Sequence, residues 1–242
     1  MSIILFTDFG SSDLYVGQVK AVLQREAPDV PVIDLLHDVP AYDIEAGAHL
    51  LAALSPSFPP GSVFFAVVDP GVGGERAAAV LLADEKWYVG PDNGLLSVVA
   101  QRARAARFWH ITWRPERLSA SFHGRDLFAP IAAGIGRGAM PHDRLRQVPQ
   151  LDVSVSPDAL PRVIYVDHYG NCVTGIPGTG LRRDAVIECG TKRLSYARTF
   201  SEVEAGRPFW YANSIGLVEI AVNQGSAAKL LGLRVGSELR IF

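Results

Sequence analysis

The chain has 242 residues, 48% of them hydrophobic and 20% charged, with a net charge of −2. That balance describes a folded globular protein; it excludes disordered and fibrous classes, and it lacks the basic surplus of a nucleic-acid-binding protein. No apolar run reaches the roughly 20 residues that span a bilayer, and Met1-Ser2-Ile3-Ile4-Leu5-Phe6 enters a strand without a basic leader, so the expectation is a cytoplasmic protein with no membrane partner.

Ile3 to Phe6 is the first predicted strand, and Leu14 to Glu26 has helical spacing with Asp13 as its N-cap. Val32 to Leu36 is a second strand, and a helix from Ile44 to Leu54 stops before Pro56, Pro59, Pro60 and Gly61. Strands follow at Val63 to Val68, Ala77 to Leu82 and Trp87 to Val89, then helices at Gly94 to Ala105 and Asp126 to Gly136. Short strands alternating with helices predict an α/β domain with a mainly parallel sheet covered on both faces.

Composition changes after Met140-Pro141, and the proline-rich stretch from Pro149 to Pro161 reads as a linker. Beyond it, short strands at Arg162 to Val166, Ala185 to Cys189, Arg193 to Tyr196, Leu217 to Val222 and Glu238 to Phe242 suit a small β-barrel or sandwich. The expectation is therefore two domains, 1–155 (with the linker from about 141) and 156–242. Cys172 and Cys189 lack metal-ligand spacing and read as buried free thiols.

Four turns carry chemistry-bearing residues: Thr7-Asp8-Phe9-Gly10, Val68-Asp69-Pro70-Gly71-Val72-Gly73-Gly74, Pro91-Asp92-Asn93-Gly94 and Phe122-His123-Gly124-Arg125-Asp126. Asp8 and Asp69 each end a predicted strand, where open α/β sheets bind ligands. Arg76 follows Asp69 by seven residues, close enough to return beside its carboxylate. A tight turn with a surface ion pair, and a capping histidine, are the plainer readings of the same residues.

These motifs, with Tyr15-Val16-Gly17, Asp167-His168-Tyr169-Gly170-Asn171, Asn213-Ser214-Ile215-Gly216 and Ala221-Val222-Asn223-Gln224-Gly225-Ser226-Ala227-Ala228, resemble the S-adenosylmethionine (SAM) hydroxide adenosyltransferase family, relatives of fluorinase and chlorinase. The resemblance covers nearly the whole chain in order. It implies hydrolysis of SAM to adenosine and methionine with no cofactor or metal, catalysed by Asp69, Arg76 and His123. It places Asp8 on the ribose hydroxyls, Asp167 and Ser214 on the amino-acid end, and Asn171, Phe200, Asn223 and Gln224 around the adenine. Tyr42 stands where the halogenating relatives carry a different aromatic, and Ile176-Pro177-Gly178 departs from the polar stretch that follows the Asn171 motif in the family. The resemblance also implies a homotrimer with active sites at subunit interfaces, between a catalytic N-terminal domain and a neighbour's adenine-binding C-terminal domain.

The residue types suit that chemistry. A sulfonium substrate leaves as a neutral thioether, so the work falls on the nucleophile, which a carboxylate can orient and deprotonate. Asp69 also opposes halide chemistry, because a carboxylate at the wall of a desolvated halide pocket repels the anion by several kcal/mol; the halogenating relatives have an uncharged residue there. Two further readings stay open: Asp8, Asp69, Asp92 and His123 as ligands of a divalent cation in a phosphoesterase, and a non-catalytic SAM or adenosine binder.

Overall fold

A computed structural model describes residues 1–242, which divide into two compact units, Met1–Pro157 and Asp158–Phe242. No helix is long and apolar enough to cross a membrane.

The first unit is built on seven strands, β1 (Ile3–Thr7), β2 (Val32–Leu36), β3 (Val63–Val67), β4 (Ala78–Ala83), β5 (Lys86–Pro91), β6 (Ala106–Ile111) and β7 (Leu145–Val148), with helices α1 (Leu14–Glu26), α2 (Ile44–Leu54), α3 (Ser97–Arg102) and α4 (Ala129–Gly136). The sheet order is β2-β1-β3-β5-β4-β6-β7. Strands β1 and β3 are buried along their whole length, as a strand covered on both faces must be. Side chains alternate across the sheet. Ile3, Leu5, Val63 and Phe65 share one core with Val19 and Leu23 of α1 and Ile131 of α4. Ile4, Phe6, Phe64 and Ala66, equally buried, point to the other face, where Phe64 stacks on Tyr88 with ring centroids 4.9 Å apart.

The sheet is mixed, which corrects the expectation of a mainly parallel one. β2, β1, β3 and β5 run parallel, whereas β4 is antiparallel to β5 and β6, and β6 to β7. The cause lies in the turn at Asp84 and Glu85, whose φ angles of 42° and 64° make a two-residue hairpin with both central residues left-handed. Such a link is too short for a crossover helix. Strands β6 and β7 were not among the predicted elements, and α3 is shorter than the predicted 94–105.

In the second unit, β8 (Leu160–Val166), β9 (Cys172–Pro177), β12 (Pro208–Ala212) and β13 (Leu217–Val222) form an antiparallel sheet, ordered β12-β13-β9-β8. A smaller one has the order β11-β10-β14 from Ile187–Cys189 (β10), Lys192–Leu194 (β11) and Arg240–Ile241 (β14), and a short helix, α5, spans Ala227–Leu231. Val163, Ile176, Ile187, Leu194, Trp210 and Ile220 share its core. Cys172 and Cys189 are buried, free thiols; burial pushes them up to about 12 and about 11 respectively.

Candidate active site

The chain leaves β1 for β2 on one side and later occupies β3 on the other, so the carboxyl ends of β1 and β3 border a point where the strand order reverses, the usual crevice of open α/β sheets. Thr7 pairs with Val67, and the Asp8 N–H donates to the Val67 carbonyl at 3.3 Å. Asp8 and Asp69 therefore emerge from neighbouring strand tips. Gly90 permits the close approach of β5, since a Cβ there would lie 2.1 Å from the Ala66 carbonyl oxygen.

Asp69, Arg76 and His123 come together. Arg76 Nε donates to both Asp69 oxygens, at 2.9 and 3.1 Å, and Nη2 donates to Oδ2 as well. The two side chains are only 6% and 11% exposed, so this is a buried ion pair whose geometry fits the planar fork of arginine. The guanidinium also lies 5.3 Å from the Phe128 ring centre. Its Nη2 is 3.1 Å from His123 Nδ1. A guanidinium only donates, so Nδ1 accepts and the neutral imidazole holds its proton on Nε2. Burial, and next the Arg76 charge, pulls His123 below its ordinary 6.5, so the ring is neutral at pH 7.

Two local devices create this meeting. Gly73 is left-handed, with φ +80°, and a Cβ there would stand 2.4 Å from the Ala120 carbonyl oxygen; only glycine lets the turn after Asp69 rest on the loop before His123. His123 then caps a wide turn, Gly124–Phe128, with π-helical bonding that leads into α4, an irregularity common where helices serve a site. This turn is locked by Arg125, which donates to both oxygens of Asp126 at 2.6 and 3.0 Å and to Gln18 Oε1 at 2.9 Å. Asp126 also accepts from the Ser119 N–H at 2.9 Å.

Asp8 accepts from the Tyr42 N–H at 3.4 Å. Burial raises its carboxyl above the ordinary 3.8; the Tyr42 N–H opposes the rise, and the nearby Asp69 charge adds to it. Tyr42 has φ 65° and is 77% exposed; a bulky residue in the left-handed region carries strain of the kind that collects at ligand sites. Phe122 packs edge to face on Phe9 and Tyr15, which are tilted against each other, with centroids 5.4–6.0 Å apart; Phe9 and Phe122 are next in sequence to Asp8 and His123. Beneath the Asp8 turn, Thr7 Oγ1 meets His37 Nδ1 at 2.9 Å, His37 Nε2 meets Asp34 at 3.1 Å, and Lys20 holds Asp34 at 2.9 Å.

Asp92 does not join the set. Its buried carboxylate takes the Asp152 N–H at 2.9 Å and lies 3.2 Å from His110 Nε2, so it fastens the proline-rich stretch to the sheet. The residues whose ligand atoms fall within 4.8 Å of one another are Asp92, His110 and Asp152, not the Asp8, Asp69, Asp92 and His123 of the metal reading.

In the second unit, Asp167 binds both the backbone N–H and the side-chain amide of Asn171 at 2.8 Å. Phe200 packs on Phe209 and Tyr211. Asn223 donates to the Val203 carbonyl at 2.6 Å, and Gln224 follows it with φ 55°. Ser214 is exposed on a turn closed by Asn213, which accepts from the Ile215 and Leu217 N–H groups. Buried Glu219 holds that turn through Asn213 at 2.8 Å and Tyr211 at 2.5 Å. Glu219 and Gln18 were absent from the sequence-based set, and Arg125 and Asp126 entered it only as part of the turn that carries His123, without a role.

Family models for the SAM hydroxide adenosyltransferase N-terminal domain and C-terminal domain match residues 3–145 and 161–240. The chain belongs to the SAM hydroxide adenosyltransferase family. Across 99% of its length it is 39% identical to the (R)-S-adenosyl-L-methionine hydrolase of Thermus thermophilus, covering 98% of that protein. A fluorinase from Actinopolyspora mzabensis is more distant, 28% identical over 99% of this chain and 96% of its own. An uncharacterized conserved protein of Thermotoga maritima has a solved structure that superposes with a TM-score of 0.89 at 33% identity, covering 99% of both chains.

Proposed function

We propose that this protein hydrolyses S-adenosyl-L-methionine by attack of water at the ribose C5′, releasing adenosine and L-methionine. The observation that carries this reading is the Asp69–Arg76–His123 array at the strand-order reversal. Family membership and the name of the Thermus thermophilus relative support it. With His123 neutral, Asp8, Asp69 and Arg76 leave one negative charge in excess, which suits a sulfonium cation.

In this mechanism Asp69 accepts a hydrogen bond from water and then its proton, while Arg76 fixes the carboxylate plane. The lone pair of His123 Nδ1 is committed to Arg76, so the ring serves by donating from Nε2 to the water oxygen rather than by taking a proton. The C5′–S bond breaks as the new C5′–O bond forms, and the sulfur electron pair stays with methionine. Charge falls as nucleophile and sulfonium combine, so water exclusion by Phe9, Tyr15 and Phe122 favours the reaction.

Asp8 and Tyr42 bind the ribose side, Asp167 and Ser214 the amino-acid end, and Asn171, Phe200, Asn223 and Gln224 the adenine. The first unit is thus the catalytic domain and the second the adenine-binding domain, and we extend the reading to a cytoplasmic homotrimer in which the two sets meet at subunit interfaces. The second unit is read as a barrel: isolated bridges Arg162–Glu238 and Tyr196–Trp210 support closure between its two sheets.

Incubating purified protein with SAM and separating the products tests the function. Adenosine and methionine in equal amounts are expected, with Asp69→Asn losing at least about 100-fold in kcat, the scale set by proton transfer to a positioned base. Unchanged turnover in that variant would remove Asp69 from the mechanism.

A further inference from the structure

The Asp69 carboxylate is only as well placed as the strand tip that carries it. The β3 ladder ends early: Phe65 is the last residue paired with β5, and Val67 the last paired with β1. The next carbonyl, that of Val68, lies past both ladders, and Val68 is fully buried. Its oxygen belongs to the peptide plane that also contains the Asp69 nitrogen, so whatever fixes it fixes the start of Asp69.

Asn93 supplies that fixture. Its side-chain Nδ2 donates to the Val68 carbonyl at 2.9 Å, and its Oδ1 accepts from the Leu95 N–H at 3.2 Å. The amide is therefore held from both ends and acts as one more rung between β5 and β3 beyond the backbone ladder. It stands on rigid ground. The preceding Asp92 N–H donates to the Ala77 carbonyl at 3.0 Å, and Arg76 Nη1 approaches the same carbonyl at 3.4 Å. The turn after Asn93 continues through Gly94 at φ +104°, where a Cβ would meet Val155 at 3.1 Å.

We propose that Asn93 is a positioning residue for catalysis: its amide holds the Val68–Asp69 peptide and so sets the Asp69 carboxylate against Arg76 and the attacking water. This rests on the hydrolase reading of Asp69. A buried carbonyl deprived of its donor seeks another partner and moves, and a 1 Å displacement of a reacting group costs about 100-fold in rate.

The test compares steady-state SAM hydrolysis and thermal melting for Asn93→Asp, Asn93→Ala, Ser97→Ala and Asp69→Asn. Asn93→Asp keeps the acceptor for Leu95 and puts a charged acceptor in place of the donor to Val68, whereas Asn93→Ala removes the donor without adding charge. Ser97→Ala is the structural control: Ser97 donates to the Gly94 carbonyl at 2.7 Å and accepts from the Val155 N–H at 3.0 Å, in the same segment but with its hydroxyl bonded to these groups rather than to β3. Both Asn93 variants should lose about 10- to 100-fold in kcat with KM within about threefold, while Ser97→Ala melts lower and keeps its kcat. Asn93 variants at wild-type kcat, a kcat loss no greater than that of Ser97→Ala, or two Asn93 variants that fail to fold beside a folded Ser97→Ala would overturn the proposal. Asp69→Asn separates the causes: if it is inactive while the Asn93 variants are unimpaired, the positioning role fails alone, and if it turns over normally, the role assigned to Asp69, on which the positioning role depends, fails.

Discussion

Gly73→Ala isolates the device that brings Asp69 and His123 together. The new Cβ would lie 2.4 Å from the Ala120 oxygen, at a residue with φ +80°. The conformational cost of alanine in the left-handed region is about 1–2 kcal/mol. Relieving the overlap needs roughly 1 Å of separation to reach ordinary contact, and overpacking of this kind costs about another 1–3 kcal/mol. For a chain of this size that total corresponds to a melting shift of roughly 4–20 °C. The same displacement parts the Arg76–His123 contact, so kcat should fall by about 100-fold. Gly138→Ala provides the control, because Gly138 has φ +78° with nothing within 4 Å of its Cβ; it should lose stability by the conformational cost alone and keep wild-type turnover. Both are read by calorimetry and by adenosine release. A Gly73→Ala protein with the kcat of Gly138→Ala would refute the claim that this turn assembles the site.

Acidification should lower kcat/KM as pH falls below 6.5, because His123 must be neutral to keep its bond with Arg76 and Asp8 must be ionised to bind a cation; a pH–rate profile flat from 7 to 4 would contradict this. Stability has two opposed parts. The depressed pKa of His123 means that the unfolded chain binds that proton first, so its part is lost as pH falls from 6.5 through the lower folded value. Asp8 is raised, so the folded state binds its proton first, and ionising it above 3.8 weakens the fold. Asp8→Asn should accordingly melt higher at pH 7 while its KM for SAM rises, and a lower melting temperature would reverse the assigned sign. Light scattering should give a mass near three times the 26.1 kDa chain, and a fully active monomer would refute sites shared between subunits.

What could be read from the sequence followed from local chemistry. Asp13 accepts from the Leu14 N–H at 2.7 Å as an N-cap, and the apolar run at 63–68 became the buried β3 because continuous burial leaves no polar alternation. Asp69, Arg76 and His123 were legible as residue types at strand and helix ends, although their convergence depends on the Gly73–Ala120 contact, which joins segments 47 residues apart. Strands β6, β7, β9 and β12 escaped: β6 and β7 interleave charged and polar residues with apolar ones, as in Ala106–Ile111 and Leu145–Val148, and β9 carries Thr174, Gly175 and Pro177, residues that read as a turn. Gly175 is there for packing: a Cβ would come within 2.5 Å of Leu160. Asp92 looked like its neighbours Asp8 and Asp69 in sequence, but its partner His110 sits on β6, an unpredicted strand. Glu219 gave no signal at all, since a lone acid within an apolar strand shows its use only when Tyr211 and Asn213 are placed opposite it.

The central claim concerns which atom attacks the ribose, and isotope tracing addresses it directly. SAM incubated with the enzyme in ¹⁸O-labelled water, with chloride present, should yield adenosine carrying one ¹⁸O at the 5′ oxygen and methionine carrying none. Unlabelled adenosine, label in methionine, or a 5′-halo-nucleoside as the main product would contradict attack of water at C5′.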